Sequence, residues 1–278
     1  ELQQLSEQGE HDWLCLDRAG LDITDQVSVK SVIADFEPDV VINAAAYTAV
    51  DKAESEVDLA HAVNARGPEY LAIACQGIGA ALVHISTDYV FSGDKTESYA
   101  ETDATGPTGV YGQSKLAGER AVLEHCVKHI ILRTAWVFGE HGNNFVKTML
   151  RLGSERDELG IVADQFGAPT SARGIAETCL KIAEQLDNNP HWGIYHYSGA
   201  PYVSWFEFAH VIFEESLAAE ILTKVPTIHA ITTAQFPTPA KRPSNSRLNC
   251  EKFAATFGVE PDDWQTRLQG QLSLNIDT

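Results

Sequence analysis

The amino-acid sequence predicts an α/β protein: a doubly wound parallel sheet followed by a smaller α/β lobe. Short β-branched runs alternate with segments of helical period through roughly the first 200 residues, the pattern of parallel strands joined by crossover helices. Runs such as Val40-Val41-Ile42 are apolar at consecutive positions, which calls for a strand covered on both faces. At 278 residues and 44% apolar content, the chain is long enough to bury a sizeable core.

The strands are expected at 13–17, 40–44, 81–86, 130–134, 161–163 and 193–197. Val29, Val32, Ile33 and Phe36 recur at helical spacing behind the capping residues Thr24 and Asp25, and Pro38 closes that helix. A second helix is expected over 111–126, with Leu116, Val122 and Leu123 apolar and Lys115, Glu119 and Arg120 polar. Beyond about residue 140 glycine, proline and aromatic residues grow denser and the alternation loosens. The chain therefore divides into units 1–140 and 141–278, with a helix over 171–187 packing back onto the first.

Charge narrows the partners. The 39 acidic residues outnumber 20 basic ones, and a formal charge of -19 repels phosphodiester backbones and anionic membrane surfaces. No run approaches the roughly 18 apolar residues of a membrane span. Five cysteines, odd in number and without a C-x-x-C pair, suit free thiols in a reducing cytoplasm. The ten histidines are scattered, and no metal site is expected.

Tyr111-Gly-Gln-Ser-Lys115 sets a phenol and an ammonium four residues apart, on one helix face. A phenol titrates near pH 10, and a neighbouring cation favours phenolate, drawing the group towards general-acid work. Alone, Y-x-x-x-K is weak. Upstream, however, Ile85-Ser-Thr-Asp-Tyr-Val-Phe91 ends a predicted inner strand, and ligands of open α/β sheets bind at that end.

With these residues in view, the chain resembles the dTDP-4-dehydrorhamnose reductases of the extended short-chain dehydrogenase/reductase family. The resemblance rests on V-I-N-A-A-A-Y-T-A-V-D-K-A-E at 41–54, S-T-D-Y-V-F at 86–91 and V-Y-G-Q-S-K-L-A-G-E at 110–119. It continues through L-R-T-A-W-V-F at 132–138, G-N-N-F at 142–145, D-Q-F-G-A-P-T at 164–170 and P-T-P-A-K-R-P-S-N-S-R-L-N at 237–249. The blocks run in order through both units.

The resemblance implies a Rossmann-like dinucleotide-binding domain over 1–140 and a mainly substrate-binding lobe over 141–278. It implies hydride transfer from NADPH, with NADH also accepted, to the C4 keto group of a dTDP-linked deoxysugar in a cytoplasmic monomer or weak homodimer. Tyr111 would donate the proton, Lys115 hold the nicotinamide ribose, and Thr87 hydrogen-bond the reacting oxygen or the phenol. Ser86 is the local rival of Thr87, but strand alternation turns it to the other face.

Asp88 and Trp136 match positions that contact the sugar, and an aromatic wall suits its apolar face. Tyr89 and Val50 stand between pocket and core. Lys241, Arg242 and Arg247 gather cations suited to a diphosphate, Arg242 foremost. Along the cofactor run Asp17, Arg18, Asp22, Ile23, Ala45, Ala46, Tyr47, Thr48 and Ile85. Asp17 would accept from the adenosine ribose, and Arg18 beside it would offset its repulsion of a 2′-phosphate. Asn64 is expected either to position a proton relay or simply to cap and pack.

In one respect the sequence departs from the family. Members open with a strand and a turn of the type G-x-x-G-x-x-G, whose N–H groups face the pyrophosphate. These residues contain neither, and Gly77-Ile-Gly79 lies between helix and strand, the wrong order. Glu1-Leu-Gln-Gln-Leu5 resembles the helix after that turn, so the chain is expected to begin beyond it. Two other readings stay open: a reductase or epimerase of another nucleotide sugar, and a non-catalytic, reductase-like regulatory subunit.

Overall fold

The computed structural model describes residues 1–7, 11–186 and 191–274. Its longer strands are β1 (Val40–Asn43), β2 (Ala81–Thr87), β3 (His129–Thr134), β4 (Glu158–Val162), β5 (Gly193–His196) and β6 (Thr227–Ile231). A four-stranded parallel sheet runs β1-β2-β3-β5, with Asn43 opposite His84 and Thr87 opposite Thr134. Parallel neighbours need crossovers, and helices provide them. Helix α1 (Gln26–Phe36) leads into β1, α2 (Gly67–Ile78) joins β1 to β2, and α3 (Val110–His125) joins β2 to β3. Asp25 caps α1 by accepting from the backbone N–H groups of Val27 and Ser28, and Glu37 ends it in the left-handed region at φ 49°.

Both faces of the sheet are covered, which is why β2 and β3 read as continuous apolar runs. On one face Ala81, Val83, Ile130 and Leu132 pack against Ile175, Cys179 and Ile182 of α4 (Ala172–Gln185), with Phe253 and Phe257 alongside. On the other, Leu82 and Ile131 meet Val29 and Ile33 of α1, Leu71 and Cys75 of α2 and Val122 of α3. The helix expected over 171–187 thus covers the first unit's sheet; residue 187 lies outside the described residues, as do 188–190 and 275–278 of the second unit. A further core joins Phe138, Val146, Met149, Leu159 and Trp264 to Phe208 and Ile212 of α5 (Trp205–Ala218).

Two expectations need correction. Residues 13–17 form no strand and have no ladder partner among the described residues, and Leu14 and Leu16 stay 45% and 42% exposed. A strand is made by its neighbour as much as by its own side chains. Of the run expected at 161–163, Ile161 and Val162 end β4, which begins earlier, at Glu158, and pairs with β6 in a separate two-stranded sheet rather than joining the main one. On α3 the polar Lys115 and Glu119 are 2% and 1% exposed, whereas Leu123 is 44% exposed.

Among the described residues no helix is long and apolar enough to cross a membrane. All five cysteines are free thiols.

Candidate active site

A cleft of about 2360 Å³ runs along the β1 edge of the sheet, from Pro38, Ala80 and Lys128 near the N-terminal ends of the strands to Thr87, Trp136 and Trp205 beyond the C-terminal ends, with Asp17 and Asp22 also on its wall. Thr87 is the last residue of β2 and points into it. Its hydroxyl donates to Asp88 Oδ1 (3.1 Å), accepts from the Tyr89 N–H (3.2 Å), and hydrogen-bonds the Tyr111 phenol, holding that group's pKa down. Ser86, on the opposite face, donates to Glu119 Oε1 (2.5 Å).

Helix α3 carries Tyr111 and Lys115 to this point because two of its glycines allow close approach. A Cβ on Gly112 would stand 2.2 Å from the Tyr89 carbonyl oxygen, and one on Gly118 2.0 Å from that of Asn64. The Tyr111 ring lies edge-on to Tyr89, centroids 5.3 Å apart. Lys115 Nζ donates to the Ile85 carbonyl at 2.6 Å. Burial lowers the Lys115 pKa to about 8, opposed by the Glu119 carboxylate one turn on.

The charge logic read from Y-x-x-x-K needs amending here. Burial drives the Tyr111 phenol upward, and the group that counters it is Thr87, not the neighbouring ammonium. In this arrangement Tyr111 is held fully protonated, the state a proton donor requires.

Asp88 is 4% exposed, and burial raises its carboxyl to about 6, with Ser246 and Thr87 pulling the other way. Its Oδ2 finds no partner among the described residues. Trp136 sits at φ 49°, an outlier for a residue with a side chain, and stacks on Trp205 at 3.6 Å. Gly167 lies against its indole: a Cβ there would meet Trp136 Cε2 at 2.6 Å.

Elsewhere on the wall, Asp17 Oδ1 accepts from the backbone N–H groups of Ala19 and Gly20. Asp22 accepts from the Thr24 N–H and hydroxyl, which lower its pKa, and lies 3.7 Å from Arg18. Ile23 packs under Gly67 and also faces the cleft. Ala45, Ala46, Tyr47, Thr48, Val50 and Ile85 line the space between. The Tyr47 phenol donates to Glu56 (2.6 Å), which raises its pKa to about 12.

A π-helical turn, Ala62–Arg66, directs Asn64 inward, where its amide accepts from the Tyr47 N–H (2.8 Å) and donates to the Tyr47 carbonyl and to Ser114 Oγ (3.0 Å each). Asn64 therefore fastens the loop after β1 to the helix of Tyr111. Asn43 Oδ1 accepts from the Ala45 N–H, so its amide donates to His84 Nδ1 at 3.1 Å and leaves that ring's proton on Nε2. Burial, then the Lys115 charge, hold His84 neutral.

Arg242 stands behind the wall rather than in the cleft. Its guanidinium donates to Asp51 Oδ2 (2.6 Å) and Tyr89 Oη (3.1 Å). Arg247 is likewise committed, to Asn245 and the Thr96 carbonyl, while Lys241 is exposed. His125 and His129 stand four apart in sequence, a ligand-like spacing, yet one closes α3 beside Glu69 and the other opens β3 with Nδ1 on the Cys126 carbonyl. Glu1, Glu140 and His141 bring potential ligand atoms within 4.8 Å of one another, an arrangement common at acidic surfaces.

Three functional candidates escaped the sequence reading. Trp205 is the first residue of a capped helix, a signal visible in Ser204-Trp-Phe-Glu207, but nothing in that spacing says it meets Trp136. Glu119 and His84 carry no local signal, because their partners lie on other strands.

Comparison with known proteins agrees with this geometry. A family model described as "RmlD substrate binding domain" matches residues 1–275. The dTDP-4-dehydrorhamnose reductase of Aggregatibacter actinomycetemcomitans is 52% identical over 267 residues, 95% of this chain and 91% of that one. The crystal structure of the Bacillus anthracis dTDP-4-dehydrorhamnose reductase in complex with NADP superposes with a TM-score of 0.89 at 39% identity, covering 99% of this chain and 95% of that one. A Clostridium acetobutylicum dTDP-4-dehydrorhamnose reductase gives a TM-score of 0.92 at 38% identity, covering 99% and 94%.

Proposed function

This chain belongs to the RmlD substrate binding domain family, and we propose that it reduces the C4 keto group of dTDP-4-dehydrorhamnose to give dTDP-L-rhamnose, with NADPH, or NADH, as reductant and Tyr111 as proton donor. The observation that carries this reading is the convergence of Thr87, Tyr111 and Lys115 on one cleft at the end of β2.

The residues that line the cleft fit the adenosine and nicotinamide-ribose ends of a dinucleotide, while the turn that would face its pyrophosphate is not among them. Ala44, Ala45 and Ala46 keep the wall after β1 low, so that a backbone can approach a bound ligand, and Lys115 offers a buried ammonium anchored on a strand-end carbonyl. When bound, the cofactor supplies the hydride. Asp17 and Arg18 take the adenosine end, with Asp22 and Ile23 beside the base. Lys115, Tyr47 and Ile85 orient the ribose and ring.

The sugar then lies between Trp136 and the Thr87–Asp88 corner. Asp88, with one oxygen unengaged among the described residues, accepts from a sugar hydroxyl. Thr87 aims the phenol, and as C4 gains hydride the Tyr111 hydroxyl delivers its proton to the C4 oxygen. Stabilising the developing alkoxide in a partly buried site is where these donors act. Tyr89 and Val50 shape the pocket, and Arg242 supports it from behind through Tyr89 and Asp51.

Residues 1–140 are assigned mainly to the cofactor and 141–278 mainly to the sugar nucleotide. Five free thiols favour a reducing cytoplasm as the site of action, and a monomer or weak homodimer suffices for a cleft built within one chain. The test follows NADPH absorbance with dTDP-4-dehydrorhamnose and, in parallel, with GDP- and UDP-linked keto sugars. Oxidation with the dTDP sugar, lost in Tyr111→Phe, is expected; no oxidation with any of them would refute the assignment.

A further inference from the structure

Beneath the catalytic residues lies a polar cluster that the reduction, as described so far, does not use. Glu119 follows Lys115 by one turn of α3 and Tyr111 by two. Its Oε1 accepts from Ser86 Oγ (2.5 Å) and Arg133 Nε (2.9 Å), and its Oε2 from Arg133 Nη2 (2.7 Å). All three side chains are at most 3% exposed. Arg133 also lies over the Phe91 ring at 4.9 Å.

A two-pronged guanidinium–carboxylate contact of this kind fixes direction as well as distance. Burying two charges gives little net stability over an apolar pair of similar volume, so folding alone is a poor account of the cluster. Its placement is more informative. Ser86 and Arg133 face each other across β2 and β3 and immediately precede Thr87 and Thr134, so the fork joins the catalytic helix to the strand ends at the cleft.

We propose that Glu119 is a positioning residue for the reduction, acting through Lys115: its carboxylate locks α3 to the strand ends that carry Thr87 and Thr134 and gives the buried ammonium its nearest counter-charge. The proposal deepens the reductase reading and rests on it for the role of Lys115. Among the other groups around that ammonium, His84 on β2 is neutral. Tyr111 on its own helix is protonated, and Tyr47 after β1 is engaged by Glu56. Arg133 on β3 spends its charge on Glu119. Glu119 is therefore the group whose removal Lys115 should feel. Burial lowers the Lys115 pKa to about 8 against the opposing pull of the carboxylate; without that carboxylate, deprotonation moves lower.

The test is an NMR titration of the Lys115 side chain in the full chain without cofactor or sugar, its signal identified by its loss in Lys115→Arg. Wild type is compared with Glu119→Gln and with the double variant Glu119→Gln/Arg133→Met, which removes both charges and so avoids stranding a buried guanidinium. The Lys115 midpoint is expected to fall by about half a pH unit or more in Glu119→Gln, with the alkaline limb of kcat/KM for NADPH moving down with it, and to fall by less in the double variant, from which the repelling Arg133 charge is gone as well. An unmoved midpoint in a folded variant would overturn the proposal. So would loss of folding in both, which would make the cluster a requirement of the fold alone. The titration needs no turnover, so a shifted midpoint in a chain inactive as a reductase would fault the functional reading and not this one.

Discussion

The guanidinium of Arg242 meets the carboxylate of Asp51 at 2.6 Å across 191 residues of sequence, and the same guanidinium holds the Tyr89 hydroxyl. Through Tyr89, whose ring lies against Tyr111, a C-terminal loop is tied to the phenol proposed as proton donor. A half-exposed ion pair of this kind is worth about 1 kcal/mol or less, so its purpose is better measured in geometry than in stability. Arg242→Met and Asp51→Asn should each raise KM for the sugar nucleotide several-fold while the melting temperature barely moves; steady-state kinetics and thermal melts separate the two.

Tyr111→Phe should lower kcat by about 10²- to 10⁴-fold, the usual worth of a positioned proton donor, with NADPH affinity retained. Thr87→Val removes the bond that aims the phenol and holds its pKa down. It should cost less than Tyr111→Phe, and the double variant should be little worse than Tyr111→Phe alone, because both act on one proton. Single-turnover rates would show additivity if the two acted separately.

Asp88 holds its proton more tightly when folded, at about 6 against an ordinary 3.8. Between those values the folded chain binds more protons than the unfolded one, so this residue's contribution to stability declines as pH rises from about 4 to about 6. Above that window an ionised carboxylate is kept in a buried site at a cost. Asp88→Asn should therefore melt higher than wild type at pH 7 to 8, lose that advantage near pH 4, and bind the sugar nucleotide more weakly. Equal melting differences at both pH values would contradict this.

Two glycines in helices should respond oppositely to alanine. At Gly118 a Cβ would press on the Asn64 carbonyl at 2.0 Å, whereas at Gly77, near the end of α2, it meets nothing within 4 Å. Gly77→Ala should stabilise by about 0.5 to 1 kcal/mol. Gly118→Ala should destabilise by about 1 to 3 kcal/mol and also depress kcat, since Asn64 and α3 move together. Urea unfolding and initial rates on the same samples provide the check.

What was legible in the sequence follows the range of the interactions concerned. The helix of Tyr111 and Lys115, and the strand that ends at Thr87, announce themselves by local period and are found at 110–125 and 81–87. The run at 13–17 has strand-like side chains but no ladder, because pairing depends on a neighbour that local pattern cannot supply. The burial of Glu119 was invisible for a related reason: Arg133 and Ser86 reach it only once β2 and β3 adopt their register. Likewise the left-handed backbone of Trp136 and the π-turn at Asn64 are set by tertiary contacts, not by the preferences of those residues.

The absent side chain at 167 has a bearing on substrate range. Because the Trp136 indole rests where a methyl group would otherwise stand, the width of the proposed sugar chamber is governed from the short antiparallel ladder of Phe166–Gly167 with Val203–Ser204, without alteration of any group assigned to the reacting carbon. Bulk introduced there would tip the indole towards the bound sugar and favour slimmer ligands. Specificity in this scaffold could thus drift by exchanges at one small residue while the proton-transfer apparatus stays as it is.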